Sequence, residues 1–283
     1  MTIARLGCEL CVPRALDLSG LRLHVLEGGM TGSPALCFLH GGAAHAHWFD
    51  AVTPAFIDRF HIASLDQRGH GESAWATPPA YGTEDFAGDL LGMMDALGWR
   101  RMALVGHSMG GHNAMAFAAW YPERVSALVI VDSRPSLPAD RIDRMRRRGQ
   151  HPPRLHPTLE SAVASFRLLP PETTAAPTLL THLARAGLVA TDAGFKYRFD
   201  PACYANRRPA DCWPLLPRIT APTLVVRGEL SPILPADMAA RLHAAVAGSD
   251  LVEIPGAYHH LVLDKPKEFT DALATFLAGS RIG

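Results

Sequence analysis

Apolar and polar positions along this chain follow two different periods. Short, continuously apolar or alternating runs predict strands, and apolar positions three to four residues apart predict helices between them. Eight strands are predicted, at residues 15–19, 21–27, 35–40, 61–66, 102–106, 127–132, 222–228 and 250–254. Helices are predicted at residues 48–58, 84–97, 109–120, 236–247 and 266–278.

The alternation of strands with helices indicates an α/β fold with a mostly parallel, eight-stranded sheet and helices on both faces. Residues 128–131 are continuously apolar, as is typical of a strand that is covered on both faces. Ser19 and Gly20, between the first two predicted strands, indicate a hairpin turn. We therefore expect the sheet to begin with an antiparallel pair.

This rhythm breaks between Arg134 and Pro217, where paired prolines separate short helical segments near residues 158–169 and 176–188. We interpret 1–133 and 218–283 as the core, and 134–217 as a helical insertion after the sixth predicted strand. A basic run at residues 144–148 lies within it, and we interpret this run as a solvated helix face.

Composition narrows the possible partners. The chain has 283 residues, is 48% hydrophobic and carries 27 basic and 27 acidic side chains. Such a balance gives no reason to expect nucleic acid or an anionic membrane as a partner. No apolar stretch approaches the roughly 18–20 residues that span a bilayer, and residues 1–9 lack the apolar run of a signal peptide. We expect a cytoplasmic protein, either a monomer or a homodimer.

The strongest chemical signal is Gly-His-Ser-Met-Gly-Gly at residues 106–111. It follows a predicted strand and precedes a predicted helix, which is the context of a G-x-S-x-G nucleophile turn. A serine hydroxyl becomes reactive when such a turn projects it beside a base and a set of oxyanion donors. We predict Ser108 as the nucleophile.

A serine nucleophile needs a histidine base. His259 and His260 follow the last predicted strand and precede the last predicted helix. Their loop is expected at the carboxyl ends of the parallel strands, where Ser108 also lies. Either histidine is therefore a candidate base.

The chain resembles the α/β-hydrolase superfamily from about residue 14 to 278, apart from the 134–217 insertion. His-Gly-Gly at 40–42 resembles the oxyanion loop of that family, and Asp-Gln-Arg-Gly-His-Gly-Glu-Ser at 66–73 resembles its D-x-R-G-x-G-x-S turn. The sequence at 106–110 resembles its nucleophile elbow. Pro-Gly-Ala-Tyr-His-His at 255–260 resembles its histidine loop, which places the base at His259. The resemblance also implies that the insertion is a cap domain.

The sequence identifies the acid of the triad less directly than the nucleophile and the base. The family usually carries it after the seventh strand, where this chain has Ser231, and serine cannot hold a negative charge. Asp132 at the end of the sixth predicted strand is one alternative, because some members carry the acid there. Glu229 is a second, and an incomplete triad is the third. We favour Asp132.

The resemblance implies that the backbone N–H groups of Gly42 and Met109 stabilise the oxyanion. It also implies that His40 braces its loop, and His45 and His47 are candidates for the pocket mouth. Three nearby histidines suggest a metal only superficially, since no carboxylate accompanies them in this loop and serine chemistry needs none. We expect neither a metal nor a cofactor. Further candidates for the substrate pocket are Gly41, Trp48, His107 and His260.

These features predict a serine hydrolase that cleaves a carboxylic ester or a lactone through an acyl-enzyme intermediate. An amidase, thioesterase, C–C hydrolase, acyltransferase or perhydrolase could use the same triad. A weakly catalytic ligand-binding receptor of this fold is the alternative outside catalysis. Apolar residues of the insertion favour a small-molecule substrate with an apolar acyl or ring portion. They are Phe166, Leu168, Leu169, Leu179, Leu180 and Leu183.

Overall fold

The computed structural model describes residues 10–18 and 20–280. The strands are β1 (Cys11–Leu18), β2 (Leu21–Gly28), β3 (Ala35–Leu39), β4 (His61–Asp66), β5 (Tyr81–Gly82), β6 (Met102–His107), β7 (Val125–Val131), β8 (Leu188–Thr191), β9 (Gly194–Tyr197), β10 (Arg207–Arg208), β11 (Thr223–Gly228) and β12 (Asp250–Ile254). The helices are α1 (Thr83–Ala96), α2 (Met109–Trp120), α3 (Ala139–Gly149), α4 (Leu159–Ala164), α5 (Pro177–Ala186), α6 (Ala202–Ala205), α7 (Ala236–Ala245), α8 (Leu261–Asp264) and α9 (Pro266–Gly279).

The main sheet has eight strands in the order β1-β2-β4-β3-β6-β7-β11-β12. Strand β2 runs antiparallel to β1 and to β4, and the other neighbours are parallel. The predicted α/β fold with a mostly parallel sheet is thus confirmed. The hairpin predicted at Ser19 and Gly20 falls partly on Ser19, which lies outside the described residues.

The core lies on both faces of this sheet, because alternate residues of each central strand point to opposite sides. On one face, α1, α2 and α7 cover residues such as Leu104 and Leu128. On the other, α8 and α9 cover residues such as Val105 and Val129. Burial on both sides explains why these strands are apolar without a break.

The helix predicted at 48–58 is wrong. Two short 3₁₀ turns, Ala46–Phe49 and Thr53–Ala55, occupy this region, with hydrogen bonds such as that from the Trp48 N–H to the His45 carbonyl. Pro54 lacks the N–H that an α-helix would use at that point. The chain therefore closes three-residue turns here.

The 134–217 segment contains α3, α4, α5, α6, the β8–β9 hairpin and β10. The helices predicted at 158–169 and 176–188 are present but shorter, as α4 and α5. The hairpin was not expected from the sequence. Strand β10 pairs in parallel with β5, which ties the segment to the core. Among the described residues, each helix is either too short or too polar to cross a bilayer.

Candidate active site

Ser108 is the single residue between the end of β6 and the start of α2. Its backbone has φ +54° and ψ −114°, a conformation that a side-chain-bearing residue rarely adopts. The flanking glycines permit this turn. A Cβ added at Gly106 would lie 2.4 Å from the Gly110 oxygen, and one added at Gly110 would lie 2.4 Å from the Leu39 oxygen. The turn thus holds Ser108 in a strained geometry of the kind found at active sites.

His259 and Asp132 lie in line with Ser108. The His259 Nε2 atom is 3.0 Å from Ser108 Oγ, and its Nδ1 atom is 2.6 Å from Asp132 Oδ2. His259 is 2% exposed and Asp132 is fully buried. Ser108 follows β6, Asp132 follows β7 and His259 follows β12, so three strand ends of one sheet edge bring these side chains together.

Ser231, where the family usually has its acid, contacts Asp132 directly. Its hydroxyl donates to Asp132 Oδ2 at 2.5 Å and accepts from the Ile233 N–H at 3.1 Å. The Gly228 N–H donates to the other carboxylate oxygen at 3.2 Å. Asp132 has φ +44°, a second strained residue in the same constellation.

Glu229, the alternative acid, is exposed, and among the described residues it forms no hydrogen bond with His259. One of its carboxylate oxygens accepts a hydrogen bond from the Gly256 N–H at 2.7 Å. The geometry therefore joins His259 to Asp132 and leaves Glu229 in a loop contact.

Burial sets the protonation of the pair. Burial lowers the pKa of His259 well below its usual value, and the nearby His260 and Arg141 lower it further. Burial raises the pKa of Asp132, while the hydrogen bonds from Ser231 and Gly228 oppose that rise. His259 is consequently neutral near pH 7, the state in which Nε2 can accept a proton from Ser108.

Gly42 and Met109 line the same cavity as Ser108. In the part of the chain that the structure describes, neither backbone N–H donates to another protein group. The loop that carries Gly42 is held by His40. The His40 Nδ1–H donates to the Gly41 carbonyl at 2.7 Å, and Nε2 accepts from the Gln67 N–H at 3.0 Å. Burial lowers the pKa of His40 to about 4, so it stays neutral in this brace.

The other predicted pocket residues lie behind the cavity wall. The His107 Nε2–H donates to the His259 carbonyl at 2.9 Å, which supports the histidine loop from below. The His260 Nε2–H donates to the Pro170 carbonyl at 3.0 Å. Trp48 is buried in the core. Gly41 packs under Ser108, since a Cβ added there would lie 3.2 Å from Ser108 Cβ.

The two histidines expected at the pocket mouth lie elsewhere as well. His45 Nε2–H donates to the Leu183 carbonyl at 3.0 Å. His47 lies beside Asp50 and His182, and Asp50 Oδ2 is 2.8 Å from His47 Nδ1 and 2.7 Å from His182 Nε2. The expectation that no carboxylate accompanies the histidines of this loop is thus wrong at His47, and His47, Asp50 and His182 have the ligand types of a metal site. Their atoms are already engaged with one another, and they join the 3₁₀ turn to α5.

The cavity in front of Ser108 has a volume of about 370 Å³. Of the six apolar insertion residues expected to favour an apolar ligand, only Leu169 lines it, because the others pack into or against the core. Ser133 and Tyr204 also line it, and sequence analysis missed both. Its apolar wall is formed by Met109, Leu137, Met145, Leu169, Pro170 and Ile233.

All four arginines of the basic run are exposed, as expected of a solvated helix face. Arg144 and Arg148 nevertheless line the cavity together with Arg141, whereas Arg146 and Arg147 lie outside its wall. Positions 141, 144 and 148 are three and four residues apart, so they share one face of α3. The sequence shows this spacing, but it does not show that this face of α3 points into the cavity.

Comparisons with known proteins show the family of the fold. A model of the alpha/beta hydrolase fold family matches residues 34–266. The 2-(acetamidomethylene)succinate hydrolase of Mesorhizobium japonicum is 28% identical over 269 residues, which are 94% of this chain and 95% of that protein. The mouse (Mus musculus) sn-1-specific diacylglycerol lipase ABHD11 is 28% identical over 271 residues, 91% of this chain and 85% of that protein.

Among solved structures, the chain is similar to that of E-2-(acetamidomethylene)succinate hydrolase. The TM-score is 0.86 at 27% identity, with 95% of this chain and 100% of that chain covered. The likeness thus extends across the central sheet and through the 134–217 segment.

Proposed function

This chain belongs to the α/β-hydrolase fold family, and on that premise we propose that it is a serine hydrolase that cleaves a carboxylic ester or a lactone. The observation that carries the proposal is the continuous line from Ser108 Oγ through the His259 ring to Asp132 Oδ2, with contacts of 3.0 and 2.6 Å. Its named relatives are hydrolases, which supports the same reaction class.

In the first half-reaction, Ser108 Oγ attacks the substrate carbonyl carbon while His259 Nε2 takes the hydroxyl proton. The carbonyl oxygen becomes an oxyanion, which the N–H groups of Gly42 and Met109 stabilise. Met109 begins α2, and the positive end of that helix dipole favours the same charge. The tetrahedral intermediate then collapses, the ester bond breaks, and His259 returns the proton to the leaving alkoxide.

In the second half-reaction, water attacks the acyl group on Ser108 and gives a proton to His259. The resulting intermediate expels Ser108 Oγ, which regains that proton, and the carboxylic acid leaves. Asp132 accepts a hydrogen bond from Nδ1–H, which holds the imidazole in the tautomer that leaves Nε2 free to accept a proton. Ser231 contributes by stabilising that carboxylate.

We further propose that residues 134–217 are a cap over this site, with 1–133 and 218–283 as the catalytic core. The support is that one cavity is lined by Ser108 from the core and by Leu137, Met145 and Leu169 from the insertion. Their apolar side chains suit a substrate with an apolar portion.

Amide hydrolysis is the second candidate, because the name of the Mesorhizobium relative specifies an acetamido compound. The same triad serves both reactions, but an amide needs its leaving nitrogen protonated before the bond breaks. A panel of matched esters, lactones, thioesters and amides with one acyl group separates the candidates by kcat/KM.

The test of the catalytic residues is labelling with a fluorophosphonate probe followed by turnover of the panel. Ser108→Ala should abolish labelling, and Asp132→Asn should lower kcat by roughly 10⁴-fold because the imidazole loses its orienting charge. Glu229→Gln is the matched control and should retain wild-type turnover. Labelling at another serine, or a loss in Glu229→Gln with none in Asp132→Asn, contradicts the assignment. Labelling without turnover of any panel member favours a receptor.

A further inference from the structure

Five arginine side chains line the cavity that contains Ser108, and neither aspartate nor glutamate lines it. They come from three parts of the chain, namely the segment after β7, helix α3 and strand β10. A cleft lined by charge of one sign concentrates ligands of the opposite sign. The five are Arg134, Arg141, Arg144, Arg148 and Arg207.

Two of these arginines have a local structural explanation. Arg144 forms an ion pair with Asp140 one turn earlier on α3, at 2.6 Å. Arg148 lies in the last turn of the same helix, where a cation interacts favourably with the helix dipole. Neither of them points to a ligand by itself.

The other three lack a carboxylate partner, although Arg207 also lies over the Phe86 ring, 4.7 Å from its centre. Arg207 is 2% exposed, and its guanidinium donates to Asn113 Oδ1 at 2.8 Å and to the Tyr81 carbonyl at 3.4 Å, both uncharged acceptors. Arg134 contacts the Met238 sulfur at 3.3 Å. Within residues 10–18 and 20–280, no carboxylate forms an ion pair with Arg134, Arg141 or Arg207. Arg207 is the buried member of the three, and Arg134 and Arg141 are half-buried. A buried guanidinium without a counter-ion is costly to the fold.

These three arginines line the same cavity as Ser108. Burial lowers the pKa of Arg141, and the positive charge of Arg134 lowers it further, so the two guanidinium groups repel each other. Arg141 also lowers the pKa of His259. Tyr204 lies beside the oxyanion loop, since a Cβ added at Gly42 would lie 3.3 Å from its hydroxyl oxygen. An anion bound between these groups would relieve the repulsion beside the triad.

We propose that Arg134, Arg141 and Arg207 form a subsite for an anionic oxygen group, a carboxylate or a phosphate, on the substrate that Ser108 attacks. The inference rests on the proposed serine hydrolase function and adds the substrate class. A guanidinium binds either anion through two parallel N–H···O hydrogen bonds. The apolar residues of the same cavity, such as Met109 and Ile233, are left for the remainder of the substrate.

The first arm of the test compares three aryl esters with equal acyl length. They are 4-nitrophenyl hemisuccinate, its methyl-capped diester and 4-nitrophenyl 3-phosphonopropanoate. We expect kcat/KM for at least one anionic ester to exceed that of the capped ester by about 10-fold or more, as one charge-assisted contact supplies. Preference for the carboxylate or for the phosphonate identifies the group. The preference should shrink in 0.5 M NaCl.

The second arm uses Arg134→Gln and Arg141→Gln. Each should reduce the anionic-to-capped ratio of kcat/KM by about 10-fold, mainly through a higher KM for the anionic ester. Arg146→Gln is the matched control, because Arg146 is on the same helix, pairs with Asp143 at 3.6 Å and lies outside the cavity wall. Its ratio should equal that of the wild type. Arg207 is left intact because it also holds Asn113 and the β5 backbone.

A third arm is independent of turnover. Succinate, or inorganic phosphate, should raise the Tm of the wild type and of Arg146→Gln, and raise it less for Arg141→Gln. If the esters are cleaved by Ser108 with no anionic preference, the subsite is wrong and the hydrolase function stands. If no ester is cleaved but an anion raises the Tm in the expected pattern, the subsite stands and the function is wrong. Equal Tm shifts in all variants, or none, overturn the subsite.

Discussion

At the scale of single residues, the environment of His259 sets the working pH of the site. Burial, His260 and Arg141 all lower its pKa, and its contacts with Ser108 and Asp132 are buried as well. An imidazole must be neutral to act as a base, so activity falls where it becomes protonated. We therefore expect the acid limb of kcat/KM to have its midpoint below the reference value of about 6.5.

The variant Arg141→Gln tests whether the charge of Arg141 contributes to the low pKa of His259. Removing a positive charge near His259 makes the imidazolium less unfavourable, so the pKa rises and the acid limb moves to higher pH. The measurement is kcat/KM for an uncharged aryl ester from pH 4 to 8. Arg146→Gln should leave the midpoint where the wild type has it. A midpoint that stays fixed or moves downward in Arg141→Gln contradicts the placement of that charge.

The hydroxyl of Ser231 is a second residue-scale test. It donates to the carboxylate of Asp132 at 2.5 Å, and a hydrogen bond to a charged group contributes about 1.5–3 kcal/mol. Ser231→Ala should therefore lower kcat by roughly 10- to 100-fold with little change in KM. Ser126→Ala is the control, since the Ser126 hydroxyl is buried without a partner among the described residues. Equal kcat in both variants would show that Ser231 does not support the acid.

The role of Asp132 could be predicted from the sequence, because the usual acid position holds a serine and an aspartate stands at the end of the sixth predicted strand. The role of Ser231 was not predictable. It depends on β7 and β11 being neighbours in the sheet, which brings Ser231 to Asp132 although the two residues are 99 positions apart along the chain. The position of the cavity arginines on α3 could not be predicted either. Their spacing shows that they share a helix face, but it does not show in which direction that face points.

At the scale of elements, the adjacent ends of β7 and β11 offer two places for one carboxylate. Ser231 Oγ and the His259 ring both contact Asp132 Oδ2, at 2.5 and 2.6 Å. An aspartate at 231 extends one atom further than serine, toward the same imidazole. We expect Asp132→Asn/Ser231→Asp to recover at least about 10-fold in kcat over Asp132→Asn alone.

The single variant Ser231→Asp is the control for this exchange. It places two carboxylates side by side in a buried site, which raises the pKa of one of them and destabilises the fold. Its Tm should fall below that of the double variant. If the double variant is no more active than Asp132→Asn, the two strand ends are not equivalent positions for the acid.

The strands and helices predicted from the sequence are correct where burial determines the structure. They are wrong or missing where turns and local contacts determine it. The central strands are apolar on both faces, and residues 61–66 and 109–120 match β4 and α2 at both ends. The turns near Trp48 resemble a helix in their apolar spacing, but Pro54 and the contacts of Asp50 favour 3₁₀ turns. The β8–β9 hairpin lacks a two-residue turn signal strong enough to predict it.

At the scale of the whole molecule, the cavity exists only where the 134–217 segment meets the sheet edge. Several polar contacts join the two. Thr173 Oγ1 donates to Asp264 Oδ1 at 2.5 Å, and Tyr81 donates to Asp200. Arg198 pairs with Glu72 at 3.1 Å. The position of α3 over Ser108, and with it the arginine-lined wall, therefore depends on contacts distributed around the rim.

Asp50 provides the sharpest test of this attachment, because His47 from the core and His182 from α5 both contact one of its oxygens. Burial alone would raise the pKa of Asp50, but its hydrogen bonds with His182 and His47 outweigh burial and lower that pKa. Burial alone would lower the pKa of His47, but the contact with Asp50 outweighs burial and raises it. The Asp50 contribution to stability is present above about pH 4 and is lost only as the pH falls through its lower folded value. The His47 contribution is full below about pH 6.5 and is lost as the pH rises through its raised folded value.

Between pH 6 and pH 9 the contact of His47 with Asp50 therefore loses its contribution to stability as the pH rises. Asp50→Asn should lower the free energy of unfolding by about 1–3 kcal/mol at pH 6, and by less at pH 9. It should also speed proteolysis within 134–217. Urea unfolding at the two pH values and limited proteolysis measure these effects. Asp58→Asn is the control, an exposed aspartate without a hydrogen bond to another described residue. A loss that is the same at both pH values would contradict the contribution of His47. Cleavage that is not faster than in Asp58→Asn would mean that the segment is held by its other contacts.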